Sequence, residues 1–194
     1  MRAYQRLLLL AALSLAATAA SAHPSAIAHA HDGFLAGLVH PLTGADHLAA
    51  MLAVGLWSAL AVRPAWIAPL AFVAMLVLGA FAGFAGFAVP AVESMIAASL
   101  LVLGLLVATR RGLPLAVAAS LVGGFAFFHG AAHGVELGDS GQLAALAGMV
   151  VTTAALHATG MAIGHLLRTR DAWLPRIAGS GVALFGAALL LRLA

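Results

Sequence analysis

From residue 33 onward the chain alternates between long apolar runs and short polar breaks. Six apolar stretches stand out, at residues 33–62, 66–89, 92–109, 113–135, 143–167 and 173–193. Most are near the ~20 residues that a helix needs to cross the hydrocarbon of a bilayer. The first is too long for one straight span and carries Pro41 and Gly44 near its start. It predicts a short helix, a break near Pro41–Gly44, and then the main helix. The connections between stretches are short and hold most of the charge.

A different pattern precedes these stretches. Met1-Arg2-Ala3-Tyr4-Gln5-Arg6 is a short positive segment, and residues 7–20 are a 14-residue apolar run. That run has the length of a signal-peptide core and is short for a bilayer span. Ala20-Ser21-Ala22 then fits a small-x-small cleavage site. The expected organisation is a cleaved signal peptide at 1–22, a periplasmic arm at 23–32 and a six-helix transmembrane domain at 33–194. An uncleaved N-terminal helix is the other reading.

Composition strengthens the membrane reading. Of the 194 residues, 64% are hydrophobic and 8% are charged. An ordinary soluble domain has about 45–50% apolar and about 25% charged residues. A water-soluble globule of this length buries only about 70% of its surface, too little to hide such a load. A soluble enzyme is excluded, and so is intrinsic disorder, which needs an apolar-poor chain. The fold class is all-α, a polytopic membrane helix bundle. The chain has no cysteine, so disulfides, thiolate metal sites and cysteine nucleophiles are excluded. It has no lysine either, so a P-loop nucleotide site is excluded. The net charge of +3 comes from nine arginines against six acids, with two arginines at the extreme N-terminus. No basic patch remains for nucleic acid.

Charge placement sets the topology. With the mature N-terminus outside, the loops after the first, third and fifth stretches face the cytoplasm. They carry Arg63, then Arg110 and Arg111, then Arg168, Arg170 and Arg176. Every one of these loops obeys the positive-inside rule. Asp32, Glu93, Glu136 and Asp139 fall on the opposite side, and Trp66 and Trp173 lie near span ends, where an aromatic belt belongs. The expected location is a bacterial inner membrane, multi-pass, with a periplasmic mature N-terminus. Gly79, Gly83 and Gly86, and likewise Gly160 and Gly164, have the spacing that lets helix backbones approach closely in lipid. They predict a compact bundle; a homo-oligomer is left open.

Polar residues inside spans are costly and point to function. Here they fall in two clusters. One is His40-Pro41-Leu42-Thr43-Gly44-Ala45-Asp46-His47 and the other is Phe128-His129-Gly130-Ala131-Ala132-His133-Gly134-Val135-Glu136. Both are expected in the outer half of the membrane. In a straight helix His40 and His47 are separated by about 10 Å of rise, too far for one ion. Pro41 favours an extended His40 and Gly44 permits a turn, so a broken helix can fold His40 back towards Asp46 and His47. His129 and His133 are four residues apart and Glu136 follows three later, all on one helical face. Four imidazoles and two carboxylates suit Ni²⁺, Co²⁺ or Zn²⁺ and are poor for Cu⁺. Imidazole must be neutral to bind, so affinity is expected to fall below about pH 6. The H-E-x-x-H of a metalloprotease is absent. His157 stands alone in the fifth stretch near Thr152, Thr153 and Thr159, as a lower waypoint or as interhelical glue. His165 is expected at the cytoplasmic interface. His23, His29 and His31 form either an external metal-capture arm or a solvated linker; capture depends on a free amine at His23.

The two clusters resemble the HupE/UreJ family of nickel and cobalt permeases. The family pattern H-P-x-x-G-x-D-H matches residues 40–47, and F-H-G-x-[AV]-H-G-x-E matches residues 128–136, without departure. The resemblance covers signal, spans and motifs in order. It implies a bacterial inner-membrane protein taking up Ni²⁺, sometimes Co²⁺, for hydrogenase or urease maturation. It also implies that His40, Asp46, His47, His129, His133 and Glu136 are needed for transport. No cofactor beyond the transported ion is implied, and no enzymatic activity. A metal-binding assembly factor that moves no ion is one alternative. An intramembrane metal-dependent hydrolase with Glu136 as base is the other.

Overall fold

The computed structural model describes residues 33–137, 141–169 and 173–194. The expected signal peptide, the expected arm with His23, His29 and His31, and the loop residues Asp139 and Arg170 lie outside the described residues. Among the described residues all regular structure is helical: α1 (Phe34–Thr43), α2 (Ala45–Ala61), α3 (Ile67–Phe84), α4 (Val92–Thr109), α5 (Leu115–Glu136), α6 (Gln142–Leu167) and α7 (Trp173–Leu193). Helices α3 to α7 are each long and apolar enough to cross a membrane. Helices α1 and α2 meet at an 85° bend and, counted as one broken span, bring the crossings to six.

The break differs in detail from the sequence expectation. His40 is not extended: it lies in the last turn of α1, and Pro41 is inside that helix and buried. The chain leaves the helix at Gly44, with φ −87° and ψ 111°. Ending the helix there leaves late carbonyls without their i+4 donors. The Thr43 hydroxyl donates to the His40 carbonyl at 2.8 Å and meets part of that need. Gly44 is needed for space rather than for a positive φ. A Cβ there would lie 3.0 Å from Asp46 Oδ1 and 3.1 Å from His47 Nδ1.

The outward faces carry Leu70, Leu105, Leu184 and Leu191, each at least half exposed. In water such a surface would drive association; in lipid it is the solvated face. Trp57, Phe72, Leu76, Leu100, Leu103 and Met149 fill the interior. Lipid supplies no hydrophobic drive between helices, so close backbone packing must do the work. The bundle is built from intimate pairs: α3 on α5, α4 on α7, and α1 with α2 on α6. Glycines line each seam. A Cβ on Gly79 would overlap the Phe127 carbonyl oxygen, and one on Gly130 would overlap that of Leu76. Gly55 and Gly160 make the same kind of contact between α2 and α6, and Gly104, Gly179 and Gly186 between α4 and α7. Of the expected packing glycines, Gly79, Gly83, Gly160 and Gly164 sit in such seams, whereas Gly86 faces open space with φ 77°.

The two ends of the bundle are chemically opposite. At one end Arg168 Nε donates to the Ala59 carbonyl at 2.7 Å, and Arg110 Nη2 donates to the Arg168 carbonyl at 3.3 Å. Arg63 caps the end of α2 through the Ala59 and Val62 carbonyls. The buried Trp57 indole donates to the Arg111 carbonyl at 2.9 Å. The fold thus gathers arginines from three loops at one end. His165 is exposed near that end. The α1–α2 bend and the C-terminus of α5 lie at the other end, with the histidines.

Candidate metal centre

The bend decides which donors meet. It turns the last residues of α1 across the end of α5, while α2 descends into the bundle beside it. His40 and His47, seven residues apart, therefore both reach His133. His40 Nε2 lies 2.9 Å from His133 Nδ1 and 3.2 Å from Glu136 Oε2. His133 Nδ1 is 3.3 Å from the same oxygen. These three atoms form a near-equilateral triangle. For an ion about 2.1 Å from each ligand, adjacent ligand atoms lie about 3.0 Å apart in an octahedron and about 3.4 Å apart in a tetrahedron. The observed edges are of that size. One ion can therefore take two imidazole nitrogens and one carboxylate oxygen as a facial set, with further positions left for water or other donors.

The triangle is open on one side and walled on the other. The side chains of His40 and Glu136 are 35% and 41% exposed, while that of His133 is 1% exposed. An ion can enter from the histidine end and meets the bundle core behind it. The carboxylate also supplies negative charge where desolvating a dication would otherwise be prohibitive.

Behind the triangle stand two more oriented imidazoles. The His47 ring lies 4.3 Å from that of His133 and 4.9 Å from that of His129, centroid to centroid. His47 Nδ1 donates to Asp46 Oδ1 at 2.9 Å, and the His47 backbone N–H donates to the same oxygen. This is the carboxylate–imidazole pairing that sets tautomer and ring direction in metal sites. It leaves the His47 Nε2 lone pair free, and that atom is buried without a partner. Asp46 thus touches His47 rather than the triangle.

His129 is wholly buried and follows the same logic. The Ser99 hydroxyl donates to the Ile96 carbonyl at 2.7 Å, so its oxygen accepts from His129 Nε2 at 3.0 Å. That leaves Nδ1 as the lone-pair nitrogen, and it too is buried without a partner. His129 and His133 share a helical face, yet their rings meet different partners: His133 lies with His40 and Glu136, and His129 lies one step deeper beside His47. His157 is on a separate stretch of α6 and joins neither group. Its neighbouring threonines donate elsewhere, and its ring packs edge-on against Phe72 of α3 at 4.9 Å.

Ser99 was not singled out in the sequence. Its signal was there, as a hydroxyl in the middle of an apolar span, but only the contact with α5 gives it a role. Replacing Ser99 with alanine removes the acceptor that fixes the His129 tautomer. The expected result is a divalent-metal affinity lower by about 10-fold at the deeper position that His129 offers, the size of effect seen for groups behind a ligand. Titration of the folded Ser99→Ala variant by calorimetry checks this; an unchanged affinity contradicts it.

Comparison with known proteins agrees with this architecture. Residues 10–189 match the family described as HupE / UreJ protein. The chain is 46% identical over 180 residues to Protein HupE of Rhizobium leguminosarum bv. viciae, covering 89% of this chain and 94% of that protein. No solved structure matches it. The family match spans the first six helices, most of α7 and both histidine clusters, and on that breadth this multi-pass membrane protein belongs to the HupE/UreJ family.

Proposed function

We propose that the protein is an inner-membrane permease that takes up Ni²⁺, with Co²⁺ as a second cargo, and supplies hydrogenase or urease maturation. The observation that carries this reading is the triangle of His40, His133 and Glu136, open to the histidine end and backed by the unpartnered nitrogens of His47 and His129. Nitrogen and oxygen donors select this class of ion. The arginine end belongs in the cytoplasm by the positive-inside rule, which puts the triangle on the periplasmic side. An arm carrying His23, His29 and His31 would then lie on the side where metal is captured.

In this scheme a hydrated ion exchanges water for the three exposed-side donors. His47, held by Asp46, offers the next lone pair inward. The inside-negative potential favours inward movement of a dication by about 2.3 kcal/mol per charge per 100 mV. With no nucleotide motif in the chain, transport is channel-like or secondary.

The test is uptake of radioactive Ni²⁺ into proteoliposomes, with Co²⁺, Zn²⁺ and Mn²⁺ as competitors. Saturable flux is expected from the wild type. Asp46→Asn removes the charge that orients His47 and is expected to cut uptake by about 10–100-fold. His47→Ala removes the nitrogen itself and should bring uptake to background while the protein still inserts. Normal accumulation in either well-expressed variant would sink the assignment. Tight binding with no flux above empty liposomes would favour a metal-binding assembly factor instead.

A further inference from the structure

His157 has no partner, although it lies in the core. It is 2% exposed, and neither ring nitrogen makes a hydrogen bond. The nearby hydroxyls are committed elsewhere: Thr152 to the Leu38 carbonyl, Thr153 to Met51 Sδ, and Thr159 to the Ala155 carbonyl. A neutral imidazole carries one donor and one lone pair. Burying both unmet is costly, and a leucine or phenylalanine would fill the space without that cost. Packing therefore gives no reason for histidine here.

Its placement gives one. The Phe72 ring lies 5.7 Å from the His129 ring and 4.9 Å from the His157 ring, centroid to centroid. One aromatic ring thus separates His157 from the innermost imidazole of the metal centre. In depth, the His157 carbonyl packs against Gly55, eight residues beyond His47 on α2. That is about 12 Å further toward the arginine end at 1.5 Å per residue. Ser58 follows one turn later, wholly buried and with its hydroxyl unpartnered. Among the described residues, the buried side-chain nitrogens and oxygens without partners belong to His47, His129, His133, His157 and Ser58 alone. Such groups are rare in folded proteins and call for a specific explanation. Here they descend from the mouth into the middle of the bundle.

We infer that His157 is an inner binding position for the same divalent transition-metal ion, occupied after the ion passes Phe72. The inference rests on the permease reading above. A single imidazole, with water completing the coordination, holds an ion less tightly than the three-donor triangle. A conducting path needs such a position, attractive enough to enter and weak enough to leave.

The chain has no cysteine, so His157→Cys installs a unique thiol at this depth. Cd²⁺ added to this variant in lipid nanodiscs should raise a thiolate-to-metal absorption band in the ultraviolet that the wild type lacks. Cd²⁺ should also block Ni²⁺ uptake by the variant at a concentration at least about 10-fold lower than for wild type, since thiolate favours the softer ion. In parallel, His157→Gln should slow Ni²⁺ uptake by about 10-fold while equilibrium affinity at the outer triangle stays within about twofold, because that triangle is untouched. A merely structural role would not give the cadmium band. If the wild type transports, the variants are monodisperse, no band forms and His157→Gln transports normally, the inner position is wrong and the permease reading stands. If the band forms but the wild type shows no flux, the inner position stands as a binding site and the permease reading falls.

Discussion

Replacing His133 with alanine is expected to weaken Ni²⁺ binding by about 100-fold or more, equivalent to about 2.7 kcal/mol. No other side chain is so central to the site. Its Nδ1 is a corner of the triangle with His40 and Glu136, and its ring packs against that of His47. Loss of the ring removes one of three donors and opens a void at the entrance to the deeper imidazoles. Glu136→Gln is the informative companion. It keeps size and one carbonyl oxygen but removes the negative charge that offsets a dication, so a loss of about 10-fold or more is expected. Calorimetric titration of the purified variants with Ni²⁺ reads both numbers. Wild-type affinity in folded His133→Ala would remove the triangle from the account. A larger effect for Glu136→Gln than for His133→Ala would mean that charge, not coordination, dominates.

The second large effect is on the scaffold. Gly130→Ala is expected to destabilise the bundle by about 1–3 kcal/mol, the range for overpacking a tight interior. A Cβ on Gly130 would overlap the Leu76 carbonyl oxygen and come within 2.9 Å of the Ala80 nitrogen. These are backbone atoms and cannot swing aside, so α5 must move off α3. Gly130 sits between His129 and His133, and the displacement would carry both imidazoles away from His40 and His47. Lowered thermal stability in detergent should therefore come with weakened metal binding. Gly124, six residues earlier on the same helix, has nothing within 4 Å of a Cβ. Gly124→Ala should be neutral or gain up to about 1 kcal/mol from helix propensity. Equal stability of the two variants, measured by thermal unfolding, would show that the α3–α5 seam is looser than described.

These two predictions separate what is local in the protein from what is not. The spans were legible because an apolar run of the right length is a property of consecutive residues. The gathering of Arg63, Arg110 and Arg168 at one end was legible too, because loop charge alternates with the spans. The donor types were legible for the same reason: histidines and carboxylates inside apolar runs are conspicuous.

The break near Pro41 was only partly legible. Proline and glycine are both punctuation, and the sequence does not say which one stops the helix. Pro41 is accommodated within α1, whereas Gly44 takes the bend because the Asp46 and His47 side chains crowd the space a Cβ would occupy. His129 and His133 share a helical face, and the sequence does not tell them apart. The separation of their roles depends on what each meets across the bundle, Ser99 in one case and His40 with Glu136 in the other. Phe72 carried no signal at all, since one more aromatic residue in an apolar span is ordinary until it is found packed between two imidazoles.

By itself, then, the sequence determined that this is a helical membrane protein, that its loop arginines alternate with the spans, and that nitrogen and oxygen donors concentrate in two segments. Each of these follows from composition within a window of consecutive residues, judged against water or lipid. Only the tertiary structure decided that His40, His133 and Glu136 meet, that Asp46 and Ser99 orient the imidazoles behind them, and that His157 waits below without a partner. Those outcomes depend on an 85° bend and on how glycine seams set the register between helices far apart in the chain. Contacts of that kind are fixed by packing between segments, which no single segment encodes.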